Sequence, residues 1–224
     1  MTITVATGGA VAGLRASAEA EWTAATHHRF VAELFAGTVD DAVMAKYLVQ
    51  DYQFFDDFLS MLGASVAHAD TISAKLRFAQ QLGFLAADED SYFLRAFAEV
   101  GVEPADYTDP QLTEVTAGFR GVMREAVAAA SYPDVLVVLV IAEWLYLEWG
   151  EQDRAMPSRD LHTDWIDLHR GEAFTGWVQF LVDELERVYP RGDDAASAAA
   201  RQRLADLWQR AVGLERAFFD EAYR

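Results

Sequence analysis

The sequence predicts an all-helical protein, and three observations predict it. Apolar residues recur at three- and four-residue steps instead of alternating; Ala, Leu, Glu and Arg are frequent; and only five prolines interrupt 224 residues. Residues of the set AVILMFWYC make up 52% of the chain and aromatics 12%, enough apolar volume for a sizeable core without staples. At about 150 residues per domain the length is long for one domain and short for two, so residues 1–224 are read as a single helical domain.

Taken in order, the first helix spans about 14–36 and Gly37 ends it. Thr38-Val39-Asp40-Asp41 reads as a capped start, with Thr38 as N-cap and an acid at the third helical position. The helix it opens runs to about His68, broken only by Gly63, and is apolar on most of its surface, which places it centrally. Further helices are expected at 71–85, 88–100, 111–130, 134–154, 160–168, 172–189 and 197–223, with Gly101, Pro104, Pro110, Pro133, Pro157 and Pro190 with Gly192 as stops. Val135-Leu-Val-Val-Leu-Val-Ile141 is rich in β-branched residues and could be a buried strand. The apolar pattern continues through Trp144, Leu145, Leu147 and Trp149, however, and that length selects a helix. No internal repeat divides the chain, and the Asp- and Ala-rich stretch 193–200 is a loop leading into a helix start.

Charge and composition exclude several classes of function. Eighteen Lys and Arg against 36 Asp and Glu give −18 at pH 7, a balance that repels phosphate backbones and anionic lipid headgroups. With no cysteine there is no disulfide framework, no thiolate zinc site and no cysteine nucleophile. Residues 1–15 show no basic stretch followed by a long apolar one, so a cytoplasmic location is expected. The longest apolar run, 135–142, falls far below the roughly 20 residues of a bilayer span, so no membrane association is expected.

In a helical protein, chemistry shows as polar groups on faces that should be dry, because an unpaired buried carboxylate is costly. Asp51 has Tyr47, Leu48, Phe54 and Phe55 as its helical neighbours. Glu143 and Glu148 punctuate the 134–154 helix with Tyr146 between them, and Glu215 sits beside Phe218 and Phe219 in the last helix. Each such carboxylate has two readings, a structural tie to an arginine or a group kept for chemistry. His27, His28, His68 and His162 read as surface or structural groups, His169 by itself no differently, and the Trp and Phe stripes as core.

Motif tests remove further classes. Carboxylate di-metal sites in helical bundles need Glu-x-x-His pairs, and the residues three before the five histidines are Ala24, Ala25, Ser65, Arg159 and Ile166. No G-x-S-x-G elbow, P-loop or G-x-G-x-x-G stretch is present. No metal or cofactor is expected.

Five segments carry a resemblance: His28-Arg-Phe-Val-Ala-Glu-Leu-Phe-Ala-Gly-Thr38, Tyr47-Leu-Val-Gln-Asp51-Tyr-Gln-Phe54-Phe55, Glu143-Trp-Leu-Tyr146-Leu-Glu148-Trp-Gly150-Glu151, Trp165-Ile-Asp-Leu-His169 and Glu215-Arg-Ala-Phe-Phe-Asp-Glu-Ala-Tyr223. In this order and spacing the chain resembles the TenA/thiaminase II family from about His28 to Tyr223. The resemblance implies a haem-oxygenase-like helical bundle, assembly as a homotetramer or homodimer, and a deep pocket for an aminopyrimidine. It further implies hydrolysis of thiamin or of the amine of its breakdown product 4-amino-5-aminomethyl-2-methylpyrimidine. On this resemblance Asp51 binds the pyrimidine and Glu215 is the acid/base.

The departures are as informative. The position of the family's cysteine nucleophile is Ala142, the pocket's aromatic hydroxyls fall on Phe54 and Phe119, and a further tyrosine falls on His169. The pattern resembles the cysteine-less branch, in which glutamate chemistry replaces the thiol, and Glu143 stands beside the vacant position. Displacing a thiazole needs a good nucleophile, so the expected reaction is deamination of a pyrimidine already cut free. Asp51 would hold the ring's amidine edge, with Phe54, Phe119, Tyr146 and His169 lining the site, and Glu143 and Glu215 would share water activation and leaving-group protonation. The alternatives are a ligand-binding protein without hydrolase activity and a transcriptional regulator. Against direct DNA contact stands the missing basic face.

Overall fold

In the computed structural model, residues 2–85 and 89–224 are described, and all their regular structure is helical. The first predicted helix is instead three: α1 (Ala10–Ser17), α2 (Glu19–Thr26) and α3 (Arg29–Ala36). The chain bends at Ala18 and again at His27, and His28 caps α3 by accepting the Phe30 amide on Nδ1 at 3.1 Å. Gly37 does end α3: its φ of 68° is left-handed, and the Thr38 amide donates back to the Glu33 carbonyl at 2.9 Å.

The predicted central helix to His68 is also divided, into α4 (Asp41–Tyr52) and α5 (Phe55–His68). Its N-cap is Asp40, whose carboxylate accepts the Ala42 amide at 2.9 Å, and not Thr38, because the latter is drawn into the end of α3. No glycine or proline marks the break between α4 and α5. The Gln53 side-chain amide donates to the Val49 carbonyl at 3.1 Å and the Tyr107 carbonyl at 2.9 Å, while the Phe54 amide closes a three-residue turn onto Asp51. A side chain inserted in the helical ladder is a recognised cause of such kinks.

Next come α6 (Ile72–Leu85) and α7 (Glu89–Val100). The predicted start of the latter at residue 88 lies outside the described residues. A short helix absent from the sequence reading, α8 (Pro104–Thr108), uses Pro104 as its opening residue where a stop was expected. After α9 (Glu114–Ala128), α10 (Tyr132–Gly150) likewise takes Pro133 into its first turn and ends four residues earlier than the expected 154. Then follow α11 (Asp160–Leu168), α12 (Gly171–Val188) and α13 (Ala195–Glu221).

The central element is α10, not the 38–68 segment: its residues 135–141 are fully buried. A helix apolar all round must be surrounded, and α2, α5, α9, α12 and α13 pack against it. Paired charges hold its surroundings in register. Buried Asp134 accepts from Arg203 of α13 at 2.8 and 3.1 Å, and Asp57 of α5 accepts from Arg120 and Arg124 of α9 at 2.5 and 2.8 Å. Each tie locks a helix that carries a residue of the cavity described next. Among the described residues no helix is long and apolar enough to cross a membrane.

Candidate active site

The helices enclose a cavity of about 110 Å³. With about 10–15 Å³ per water on this measure, it has room for a single-ring ligand. Asp51, Phe54, Phe119, Tyr146, His169, Glu143 and Glu215, all singled out from the sequence, line it. So does Ala142, one residue before Glu143, which brings only a methyl group to the wall.

Asp51 arrives from the last turn of α4, and the kink at Gln53 brings Phe54 and Phe55 to the same wall. Phe54 meets Phe119 edge-on at 5.3 Å and Phe218 at 5.1 Å. Such edge contacts let one ring wall brace another. Tyr146 of α10, also in the lining, lies 4.8 Å from the His169 ring.

The carboxylates sit in different surroundings. Glu143 is buried at 7% exposure, and its Oε1 accepts the Trp177 indole N–H at 2.7 Å. Glu215, 2% exposed, makes no hydrogen bond to a described residue. Burial, and after it the charge of Asp51, push its carboxyl well above the usual carboxylate range and favour its protonated form. One carboxyl group thus favours its protonated form, while the other accepts from an indole. That asymmetry suits a pair of groups sharing acid and base work.

A hydroxyl pair backs the cavity. Tyr47 Oη and Tyr146 Oη are 3.0 Å apart and buried, and desolvation raises both phenols well above 10. Either can donate, which leaves the other's hydrogen for a further acceptor.

Glu148 has the structural reading. It accepts the Trp22 indole N–H at 2.9 Å and an Arg15 N–H at 3.3 Å, away from the cavity. His68 and His27 are exposed, and His28 joins α3 to α13 through Asp220 at 3.2 Å. His162 is fully buried in α11. Among the described residues no group of three His, Asp or Glu side chains is gathered to hold a metal ion.

Three contributors were not singled out from the sequence. Trp177 carries no signal beyond its place in an amphipathic helix. Gly150 lay within a quoted motif without a role: a Cβ there would collide with the His169 carbonyl oxygen and stand 3.0 Å from its carbon. Gln81 of α6 adds an amide to the lining.

The profile of the TENA/THI-4/PQQC family matches residues 15–224. A protein of Halalkalibacterium halodurans named aminopyrimidine aminohydrolase is 22% identical over 219 residues, covering 95% of this chain and 94% of the relative. The crystal structure of a TenA family transcription regulator from Silicibacter sp. TM1040 superimposes with a TM-score of 0.82 at 26% identity, over 95% of this chain and 96% of that one. A TenA homologue from P. horikoshii OT3 gives 0.80 at 18% identity over 96% of this chain and 99% of its own, a likeness of fold. The helical architecture and the extent of the match agree, and the chain belongs to the TENA/THI-4/PQQC family.

Proposed function

We propose that the protein is an aminopyrimidine aminohydrolase that replaces the amine of 4-amino-5-aminomethyl-2-methylpyrimidine by hydroxyl. The observation that carries this reading is the meeting of Asp51, Glu143 and Glu215, from three helices, in one aromatic-walled cavity of single-ring size. The name of the Halalkalibacterium halodurans relative supports it.

In this reading the ring lies between the Phe54 and Tyr146 sides, and the Asp51 carboxylate accepts N–H groups from its amidine edge. Glu143 takes a proton from water as the oxygen bonds to the exocyclic methylene carbon. The carbon–nitrogen bond breaks, and Glu215 gives its proton to the departing nitrogen, which leaves as ammonia. Proton return from Glu143 to Glu215 through solvent restores the starting state. General acid and base help of this kind contributes about 10²–10⁴-fold. Because Ala142 offers no nucleophile, thiamin itself is a poor substrate. Incubation of the purified protein with thiamin and, separately, with the free aminomethylpyrimidine tests this, with hydroxymethylpyrimidine and ammonia as readouts. Turnover confined to the free pyrimidine is expected, and equal turnover of thiamin would contradict it.

A further inference from the structure

His169 caps α11 and its ring is held on several sides: Trp165 lies 4.4 Å away edge-on, Tyr146 4.8 Å, Trp149 5.3 Å and Phe174 5.8 Å. Its Nδ1 is 2.7 Å from the Trp165 carbonyl oxygen. A carbonyl only accepts, so the hydrogen is on Nδ1. A neutral imidazole carries one N–H, and Nε2 is then left with a lone pair. Burial pushes this imidazole down to about 4, which keeps it neutral through the physiological range.

Two further observations bear on the ligand. Gly150 lets α10 lie directly on the His169 backbone, which fixes where the ring stands. The described lining contains no lysine or arginine, and Glu143 accepts from the Trp177 indole. A ligand group placed against Nε2 of His169 therefore meets a lone pair and must bring a hydrogen.

We propose that Nε2 of His169 is a fixed hydrogen-bond acceptor that selects ligands by an exocyclic N–H of the pyrimidine, making His169 a specificity-determining residue. The identity of the ring rests on the aminohydrolase reading; the polarity of this wall does not. His169 has no proton to give, since its only hydrogen is committed to a carbonyl. A ring presenting a carbonyl or ether oxygen at that point would oppose two lone pairs and leave both unpaired.

The test uses the full chain and two measurements. Nitrogen-15 NMR of labelled protein should show a protonated Nδ1 and an unprotonated Nε2 at pH 7. Calorimetry then compares the aminomethylpyrimidine with its analogue lacking the 4-amino group and its analogue carrying methyl in place of aminomethyl. Deleting one of the two N–H donors should weaken binding to the parent by about 10–100-fold more than it weakens binding to His169→Asn or His169→Phe, where any contact of that donor with Asp51 is lost equally. Asn keeps a donor for the Trp165 carbonyl, Phe keeps the ring packing, and at least one should fold. His169→Gln, whose Oε1 reaches to about the place of Nε2, should recover part of the discrimination.

Protonation of Nε2 at pH 7, deletions that cost the parent and its variants equally, or a parent that binds none of the three ligands would each overturn the proposal. Donor-dependent binding without ammonia release would instead sink the hydrolase reading and leave His169 as the selective acceptor of a binding protein.

Discussion

Asp51 and Glu215 enter one cavity from α4 and α13, and the charge of Asp51 adds to burial in raising the Glu215 carboxyl well above the usual carboxylate range. In the proposed mechanism the pair divides its labour by environment: Asp51 accepts from the ring, while Glu215 gives a proton.

That relationship has a signature in stability. The folded pKa of Glu215 is raised above its ordinary 4.5, so its contribution is full below pH 4.5 and is lost as pH rises through the folded value. Glu215→Gln cannot ionise and should escape this loss. Its melting temperature should gain on the parent's between pH 5 and pH 8, by about 2–4 °C for each kcal/mol of relief. Parallel melting curves across that range would mean that folding does not raise the Glu215 carboxyl.

Replacement of Asp51 by Asn keeps shape while removing the charge. Pyrimidine affinity, read by calorimetry, should fall at least about tenfold, as expected when a charge-assisted pair becomes neutral. The same change removes one of the two causes that raise Glu215. The alkaline limb of the activity profile should accordingly move to lower pH. Unchanged affinity in a folded variant would remove Asp51 from ring binding.

Glu148 and Glu143 share a helix and separate the two fates of a carboxylate. Glu148→Gln loosens a part-exposed tie to Arg15 and Trp22 and should cost about 1 kcal/mol in denaturant unfolding with turnover nearly intact. Glu143→Gln should do the reverse, keeping a partner for Trp177 while lowering turnover about 10²–10⁴-fold. If the two variants lose the same property, the division between tie and base is wrong.

Gly150→Ala would push a methyl group into the His169 backbone, where no flexible side chain can yield. A loss of about 1–3 kcal/mol is expected, together with weaker ligand binding from a displaced imidazole. A fully stable variant with parental affinity would show that α10 can move away at no cost.

Much of this architecture is legible in the residues. The run from Val135 to Trp149 is apolar on every side, and only burial can satisfy such a helix. Asp51, Glu143 and Glu215 stand out because each interrupts an apolar face, and all three line the cavity. Glu148 interrupts the same helix and yet makes a tie, since what decides its role is Arg15 and Trp22, distant in sequence. The break at Gln53 was invisible for a similar reason. It depends on the Tyr107 carbonyl, supplied by a later loop-flanking helix, and no local breaker announces it. Asp40 displaced Thr38 as the cap because the chain's exit from α3 claimed the Thr38 backbone first. The tautomer of His169 likewise follows from a carbonyl one helical turn away, a geometry that residue identity does not encode.

The most direct measurement is ammonia released from 4-amino-5-aminomethyl-2-methylpyrimidine by the parent and by Glu215→Gln, at matched concentration and with folding checked by circular dichroism. The parent should release ammonia and hydroxymethylpyrimidine in equal amounts, and Glu215→Gln should do so about 10²–10⁴ times more slowly while still binding the ring. Release at the parental rate by a well-folded Glu215→Gln, or none from the parent, would contradict the hydrolase mechanism built on these carboxylates.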